Sequence, residues 1–579
     1  MVPYLRKYSN YLFRHKSAMV IGILCLLMTN VFGTVKPMIL KFAIDDLERE
    51  FMWNRILYLS LAIVALAMVQ GVFRFLQRRI LIGASRKAEF HLRNDFVAHL
   101  QKLSQSYYDK NTTGDIMARA SSDIDAVRMA YGPGVMYAID TVVVSVFAIT
   151  MMLTISWKMT LMAFVIFPLV SITVYIIGKQ THSRHTKAQE TYSDLNTFAQ
   201  ENLSGVRVVK AFALEKQHIK GFSAKADEYL KRNMSLVKVQ AIFIPFLYFL
   251  LGIGVLIVLV MGGRSIIQGQ MSLGGFAAFM AYLMILAWPM IAVGWVVNII
   301  QRAEASMERI DKILNTEPDI SDTSSPAAFD EENPKIEIRD LTFTYDDRGE
   351  VLKNINLDIE SGSSLGIVGS LGSGKSALVK LIARLYEPPA DSLFIGNVPV
   401  EKIELDSLRK NIAFVPQDAF LFSDKIRDNI TFDGDLKDED LYFAAEMSDL
   451  LNDVREFPDE FETMVGERGI TLSGGQKQRV TLARAILKDA PILILDDSLT
   501  AVDASTEAQI LVNMKQVFSG KTVIVVSHRI SAVSNLDKII VMEEGRIVEQ
   551  GRHDELIDLK GVYFRLYRKQ LLEQELEDM

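Results

Sequence analysis

A glycine-rich stretch in the second half of the chain ends in a lysine and a serine, a combination that suits phosphate binding. Its eight residues are Gly369, Ser370, Leu371, Gly372, Ser373, Gly374, Lys375 and Ser376. An apolar run at 365–368 precedes it and a predicted helix at 377–383 follows, the order in which such loops occur. Glycines let backbone N–H groups converge on phosphate oxygens, and the helix N-terminus adds a favourable dipole. We expect Lys375 to contact terminal phosphates and the Ser376 hydroxyl to ligate Mg²⁺; an ordinary Gly/Ser turn is the alternative.

A second glycine-rich loop and a pair of carboxylates follow further along the chain. The loop consists of Leu472, Ser473, Gly474, Gly475 and Gln476. It leads into a helical run at 480–487, and exposed N–H groups at a helix start suit a second anion contact. The apolar strand 492–495 ends in Asp496 and Asp497, at the strand edge where open α/β sheets house nucleotide chemistry.

Three single residues complete the candidate site. Gln417 and His528 each end an apolar strand with a side chain that can hold a water molecule. Tyr345 offers an aromatic face on which adenine could stack. Taken alone, each of these more often has a structural role, as a core histidine, a core tyrosine or a solvated polar turn. Their order along the second half of the chain is what favours a nucleotide site.

The bulk composition indicates a chain that is partly membrane-embedded and partly soluble. Half of its 579 residues are hydrophobic while 23% are charged. The net charge of -7 gives no indication of nucleic-acid binding. With one cysteine, Cys25, the chain can form no internal disulfide and no multi-cysteine metal site.

Six apolar segments, each near the ~20 residues that a bilayer span requires, occupy the first half of the chain. They are roughly 19–40, 56–73, 135–157, 159–177, 241–263 and 271–300. We expect short connections at 41–55, 157–158 and 264–270, and long polar ones at 74–134 and 178–240. Basic residues concentrate on the long connections and the N-terminus, so the positive-inside rule places these, and everything after residue 301, in the cytoplasm.

A polar, proline-containing linker separates this first half from a region in which strands and helices alternate. Strands are predicted at 336–343, 411–415, 492–495 and 523–526, and a hairpin turns at Glu544 and Gly545. The predicted organisation is therefore an α-helical six-span transmembrane domain at 1–314, a linker at 315–334 and an α/β nucleotide-binding domain at 335–579.

Together these motifs resemble those of ATP-binding cassette (ABC) exporter subunits, and specifically half-transporters of the multidrug or lipid type with a type IV fold. The resemblance covers nearly the whole chain and implies that the protein binds both ATP and Mg²⁺. It implies adenine stacking on Tyr345, a Walker A loop at 369–376, a loop glutamine at Gln417, a signature motif at 472–476, a Walker B aspartate at Asp496, a D-loop at 501–503 and a switch histidine at His528. In this family the signature motif caps ATP held by the opposite subunit. Segments 107–119 and 201–212 resemble the two cytoplasmic coupling segments, although plain amphipathic helices would look similar.

One position departs from the family pattern. Most members carry glutamate after the Walker B aspartate, where this chain has Asp497. That carboxylate would orient or deprotonate the attacking water, with Lys375, Mg²⁺ and His528 stabilising the phosphate. A side chain shorter by one methylene retracts the carboxylate by about 1 Å, which can cost on the order of 100-fold in rate. The change resembles the weakly hydrolysing subunit of heterodimeric bacterial exporters, so a heterodimer is favoured and an active homodimer stays open.

Two features inside the apolar segments have open roles. Asp140 either contacts a polar or cationic substrate or lies near the inner interface, and we favour the interface. Aromatic residues of the last segment either line a ligand cavity or pack between helices, and packing is the commoner use. They are Phe276, Phe279, Tyr282, Trp288 and Trp295.

The resemblance implies ATP-driven export of a small amphipathic substrate across the cytoplasmic membrane, by a dimer embedded in the lipid bilayer. A soluble chromosome-maintenance ATPase is excluded by the six apolar segments. An ATP-gated channel, a regulatory membrane ATPase subunit and a peptide exporter are alternatives, and an importer fits the domain order less well. Substrate identity does not follow from the sequence.

Overall fold

The computed structural model describes residues 3–577, apart from 50–52, 333, 346–348, 433, 435–436, 467–468 and 470–471. It divides into two compact units. The first comprises Met1–Gln101 and Thr113–Thr316, and the second comprises Lys102–Thr112 and Glu317–Met579. The short segment from the first long connection thus clusters with the α/β region.

The first unit is helical in all of its described elements. The helices are α1 (Pro3–Lys7), α2 (Asn10–Phe13), α3 (Lys16–Arg49), α4 (Trp53–Leu100), α6 (Thr113–Ala118), α7 (Ile124–Met129), α8 (Val135–Ile155), α9 (Trp157–Phe164), α10 (Ile166–Ser204), α11 (Val206–Ala211), α12 (Glu215–Ile267) and α13 (Leu273–Leu314). Two π-helical turns, Arg119–Asp123 and Ala130–Gly134, flank α7. Helix α5 (Gln105–Lys110) belongs to the second unit.

Five helical stretches of the described chain are long and apolar enough to cross a membrane. They are Lys16–Glu48, Trp53–Leu100, Thr113–Ile155, Glu215–Ile267 and Leu273–Leu314, and they cover all or nearly all of five of the six predicted segments. The remaining segment, 159–177, is helical too but is interrupted at Val165, between α9 and α10. Proline at 168 has no backbone N–H for the carbonyl four residues earlier, which is consistent with a break there.

The observed helix ends differ from those expected at the predicted short connections. The expected loop at 41–55 is helical up to Arg49 and again from Trp53, while residues 50–52 lie outside the described part. The turn expected at 157–158 lies one residue earlier, where extended Ser156 caps α9 by accepting from the N–H of Met159. Apolar composition marks where a helix crosses lipid, whereas the backbone hydrogen bonds of a helix continue into the polar flanks.

The two candidate coupling segments each contain a short helix after a break. In the first, α5 ends at Lys110 and α6 begins at Thr113. In the second, α10 ends at Ser204 and α11 follows, with Phe212 72% exposed after it. These segments are therefore short helices between long ones.

Over its described residues, the second unit contains two sheets, helix α5 and nine further α-helices. The strands are β1 (Ile336–Thr344), β2 (Glu350–Ile359), β3 (Ser364–Gly369), β4 (Leu393–Ile395), β5 (Val398–Pro399), β6 (Ile412–Val415), β7 (Ile492–Asp496), β8 (Thr522–Val526), β9 (Lys538–Glu543) and β10 (Arg546–Gly551). The helices are α14 (Lys375–Ile382), α15 (Leu405–Lys410), α16 (Ile426–Thr431), α17 (Asp438–Met447), α18 (Leu451–Glu456), α19 (Gly474–Leu487), α20 (Ala504–Phe518), α21 (His553–Asp558) and α22 (Val562–Glu577).

The six-stranded sheet has the order β10-β9-β3-β8-β7-β6, and its strands β9, β3, β8, β7 and β6 pair in parallel. Strands β7 and β8 are buried along their whole length, as their unbroken apolar sequences require in a sheet covered on both faces. Parallel strands end at one edge, so Gly369, Asp496 and Val526 finish side by side. That edge positions the candidate site.

The predicted strands and hairpin are confirmed. Strand β1 pairs antiparallel with β2 and β4 in a four-stranded sheet of order β2-β1-β4-β5. The hairpin of β9 and β10 turns at Glu544 and Gly545, whose φ angles of 49° and 82° fit the tight turns that match sheet twist.

Candidate nucleotide site

The phosphate loop joins β3 to α14 in a conformation that requires glycine. Gly369 has φ 153°, and a Cβ there would lie 2.1 Å from the carbonyl oxygen of Met542. Gly374, at the start of α14, has φ 99°, and a Cβ there would lie 2.8 Å from the Leu352 side chain. Both positions bring backbone close to a neighbouring strand, so the loop curls over the N-terminus of α14. Such a cradle of N–H groups suits an anion.

Lys375 lies folded back into this loop. Its Nζ donates to the carbonyl oxygens of Gly369 and Ser370, at 3.0 and 2.9 Å. Burial lowers the pKa of Lys375, and the charges of Asp497 and Asp496 oppose that effect. The buried Ser373 hydroxyl has no hydrogen-bond partner among the described residues. A buried cation and an unpaired hydroxyl in one loop fit an anionic ligand.

Ser376 and Asp496 form a pair of oxygen donors at the edge of the sheet. The Ser376 hydroxyl donates to Asp496 Oδ1 at 2.8 Å, and Asp496 is 1% exposed. Burial raises the pKa of Asp496, and the hydrogen bond from Ser376 opposes this. A hydroxyl and a carboxylate are the donor types that Mg²⁺ prefers, so these residues fit the metal that the motifs imply.

Asp497 is held on both carboxylate oxygens by His528. Its Oδ1 accepts from the backbone N–H of His528 at 3.2 Å, and its Oδ2 lies 3.0 Å from His528 Nε2. The backbone of Asp497 is left-handed, with φ 48°, and its N–H donates to the carbonyl of Val526 at 2.9 Å. This conformation turns the side chain out of the line of β7 and towards the end of β8.

The sequence did not single out Gln570, which hydrogen-bonds the backbone of the loop that contains His528. The Gln570 amide, on α22, donates to the carbonyl of His528 at 2.5 Å. Its Oε1 accepts from the N–H of Ile530 at 2.9 Å. The surrounding helix is charged and shows no motif, so the sequence carried no signal for this contact, which pins the backbone on either side of Arg529.

Tyr345 belongs to an aromatic cluster. Its ring lies edge-on to those of Phe343 and Tyr386, with centroids 4.9 Å apart in each pair. Burial raises the pKa of Tyr345 to about 12, with the charge of Asp109 adding to the effect. The Tyr386 hydroxyl donates to Asp109, which lies on α5. Tyr386 did not stand out in the sequence, and Asp109 did so only as part of the first candidate coupling segment, because nothing local links the two residues.

One cavity of about 780 Å³ brings most of the predicted residues together. Its walls include Tyr345, the loop from Leu371 to Ser376, Gln417, Asp497 and His528, together with Ser104, Ser106 and Asp109 from the segment around α5. Asp496 does not line the cavity itself, but it accepts a hydrogen bond from Ser376, which does. The volume is in the range of small-molecule sites.

The second glycine-rich loop does not line this cavity. Ser473 caps α19 by accepting from the N–H of Gln476 at 3.2 Å, and Gln476 donates to Asp453 at 3.0 Å. A Cβ on Gly475 would lie 3.0 Å from the carbonyl oxygen of Ala501, whose N–H donates to Gln478 at 2.9 Å. This loop is thus packed against the residues that follow Asp497, and within one chain it contributes nothing to the cavity wall.

Comparison with known proteins covers both halves of the chain. The family "ABC transporter transmembrane region" matches residues 19–290, and the family "ABC transporter" matches residues 352–500. "Multidrug resistance-like ATP-binding protein MdlA" of Escherichia coli (strain K12) is 36% identical over 573 residues, which are 98% of this chain and 97% of the relative. "Probable multidrug resistance ABC transporter ATP-binding/permease protein YheI" of Bacillus subtilis (strain 168) is 36% identical over 95% of both chains.

A less similar relative and a solved structure match the chain over nearly its full length too. "ATP-dependent lipid A-core flippase" of Syntrophus aciditrophicus (strain SB) is 31% identical over 97% of this chain and 93% of the relative. A solved structure, "Structure of a bacterial Atm1-family ABC exporter with ATP bound", has the same fold, with a TM-score of 0.79 and 24% identity over 96% of this chain and 99% of that one. On these full-length matches, the chain belongs to the ABC transporter family, with its membrane domain ahead of its nucleotide-binding domain.

Proposed function

We propose that the chain is one half of an exporter that uses ATP to move an amphipathic or hydrophobic substrate, drug-like or lipid-like, across the cytoplasmic membrane by alternating access. One observation carries this proposal. A single cavity gathers the phosphate loop, Gln417 and the Asp497–His528 pair, in a chain that also has long apolar helices. The relatives named for multidrug resistance and for lipid A-core flipping support the substrate class.

ATP would bind through the phosphate loop and the aromatic cluster. Lys375 Nζ would exchange the carbonyl oxygens of Gly369 and Ser370 for phosphate oxygens, which removes the cost of a buried ammonium. Tyr345 would stack on adenine. Ser376, Asp496 and Gln417 would hold Mg²⁺, which neutralises charge that develops on the phosphates.

Asp497 and His528 would act on the water and on the transferred phosphate. A carboxylate that accepts a hydrogen bond from the attacking water orients it, and a histidine N–H stabilises the departing phosphate oxygens. In this structure both oxygens of Asp497 face His528, so the pair must separate before either side chain serves that role. This geometry supports a slow site, in line with the shortened side chain.

A second half-transporter would complete the site. The signature loop, Ser473 to Gln476, lies away from its own chain's cavity, so two nucleotide domains closing head to tail would let each loop cap the other chain's ATP. We favour a heterodimer whose partner carries glutamate at the position of Asp497. Closure can drive the membrane domains only to the extent that ATP binds the closed state more tightly than the open one.

Transport against a gradient tests the proposal. The purified transporter, with its partner chain where one co-purifies, would be reconstituted in liposomes with a fluorescent amphipathic dye. ATP should drive dye accumulation beyond the outside concentration, and Lys375→Ala should abolish it. Flux that only relaxes a gradient would identify an ATP-gated channel instead, and accumulation of peptides alone would identify a peptide exporter.

A further inference from the structure

A carboxylate lies inside one of the apolar helices of the first unit. Asp140 is on α8, five residues after the helix begins at Val135 and fifteen before it ends at Ile155, which places it in the cytoplasmic third of the apolar segment, on the side of the interface favoured above. A charge within an apolar segment normally pairs with another group or faces a polar surrounding. The residues around Asp140 therefore indicate its role.

Only part of that carboxylate is satisfied. Asp140 Oδ1 accepts from Asn30 Nδ2 at 2.9 Å, and Asn30 is buried on α3. Among the described residues, no hydrogen bond reaches Oδ2 and no lysine or arginine pairs with the charge. The side chain is partly exposed rather than enclosed. Asn30 thus anchors one oxygen and leaves the negative charge available on the other.

One aromatic ring shares the helix face of Asp140, and a second ring packs against the first. Tyr137 lies three residues earlier on α8, which places it on the same helix face as Asp140. Its ring meets that of Trp295, on α13, edge to face at 4.9 Å between centroids. Trp295 is 43% exposed.

The aromatic residues of the last segment therefore divide into two groups. Phe279 and Tyr282 are fully buried, and the Tyr282 hydroxyl donates to the carbonyl of Thr34 at 2.6 Å, so these two pack between helices. Trp288 and Trp295 are about half exposed on the other side of α13. The packing interpretation holds for the first group, whereas the second group is accessible at the surface of this chain.

We propose that Asp140, Tyr137 and Trp295 form a recognition site for lipophilic organic cations. A carboxylate attracts the positive charge, the faces of tyrosine and tryptophan stabilise it through cation–π contact, and the apolar surroundings accept the ligand's hydrocarbon part. An anionic ligand would meet like charge there. The inference refines the substrate class of the exporter proposed above and rests on that proposal.

The rival explanation is that Asn30 and Asp140 merely clasp α3 to α8. The substitution Asp140→Asn separates the two, because an amide of the same shape keeps a hydrogen bond with Asn30 and loses the charge. Asp227→Asn is the matched control, since it removes a negative charge from an exposed position on α12 of the same unit.

The test measures equilibrium binding to the transporter in lipid nanodiscs, with tetraphenylphosphonium as the cationic probe and triphenylphosphine oxide as the neutral one. Asp140→Asn should weaken cation binding about tenfold or more and leave neutral binding within about twofold, while Asp227→Asn changes neither. No cation binding by the wild type, equal binding by wild type and Asp140→Asn, or equal loss of both probes would each overturn the inference. ATP-driven dye accumulation, measured in parallel, reports separately on the exporter proposal.

Discussion

Restoring the missing methylene at Asp497 is the sharpest test of the nucleotide site. Asp497 is 4% exposed, and both of its oxygens contact His528, at 3.2 and 3.0 Å. A glutamate at 497 would extend about 1 Å beyond both contacts, towards the cavity where the water must lie, and a correction of that size is worth on the order of 100-fold. We therefore expect Asp497→Glu to raise the hydrolysis rate at this site by roughly 10- to 100-fold.

The assay is single-turnover ATP hydrolysis, with the partner's catalytic carboxylate neutralised if the transporter is a heterodimer. ATP affinity should stay nearly constant, because Asp497 contacts His528 rather than the phosphate loop. The φ of 48° favours aspartate over glutamate, so a loss of stability on the order of 1 kcal/mol is expected alongside the gain in rate. Asp497→Asn serves as the control and should be slower than the wild type. A rate for Asp497→Glu at or below that of the wild type would refute the geometric reasoning.

Four further predictions address the phosphate loop, the loop that contains His528 and the subunit composition. Lys375→Ala should weaken ATP binding at least about tenfold in an equilibrium assay, and unchanged affinity would contradict the loop assignment. Because burial lowers the pKa of Lys375, its charge is lost at a lower pH than the charge of an ordinary lysine, so wild-type ATP affinity should fall towards alkaline pH. Gln570→Leu should lower kcat several-fold at constant KM through the loss of two hydrogen bonds of about 1 kcal/mol each, whereas an equal loss in an Asp497→Asn background would show a merely structural role. The chain expressed alone should hydrolyse ATP poorly, and robust substrate-stimulated turnover from it would establish an active homodimer.

The ends of the apolar segments and the ends of the observed helices do not coincide. Apolar runs locate five long helices, but α3 continues nine residues past the predicted end at 40, to Arg49. Lipid contact determines which residues are apolar, while helix length depends on capping and on neighbouring helices. The fourth segment, 159–177, shows the converse, since its apolar composition is continuous and its backbone is interrupted at Val165.

Local chemistry in the sequence was enough to predict the phosphate loop, the strand end at Asp496 and the fold class, while His528 lies two residues beyond the end of β8 at Val526. Loop glycines, unbroken apolar strands and a following helix are short-range features, and parallel strands necessarily bring their ends to one edge. The tertiary structure alone decided how these groups meet. His528 holds both oxygens of Asp497 from 31 residues away, and Gln570 reaches back 42 residues to the same loop. Such contacts depend on the order of strands and on helix packing, which neighbouring residues do not encode, and the same reason explains why Trp295 is exposed while Phe279 is buried.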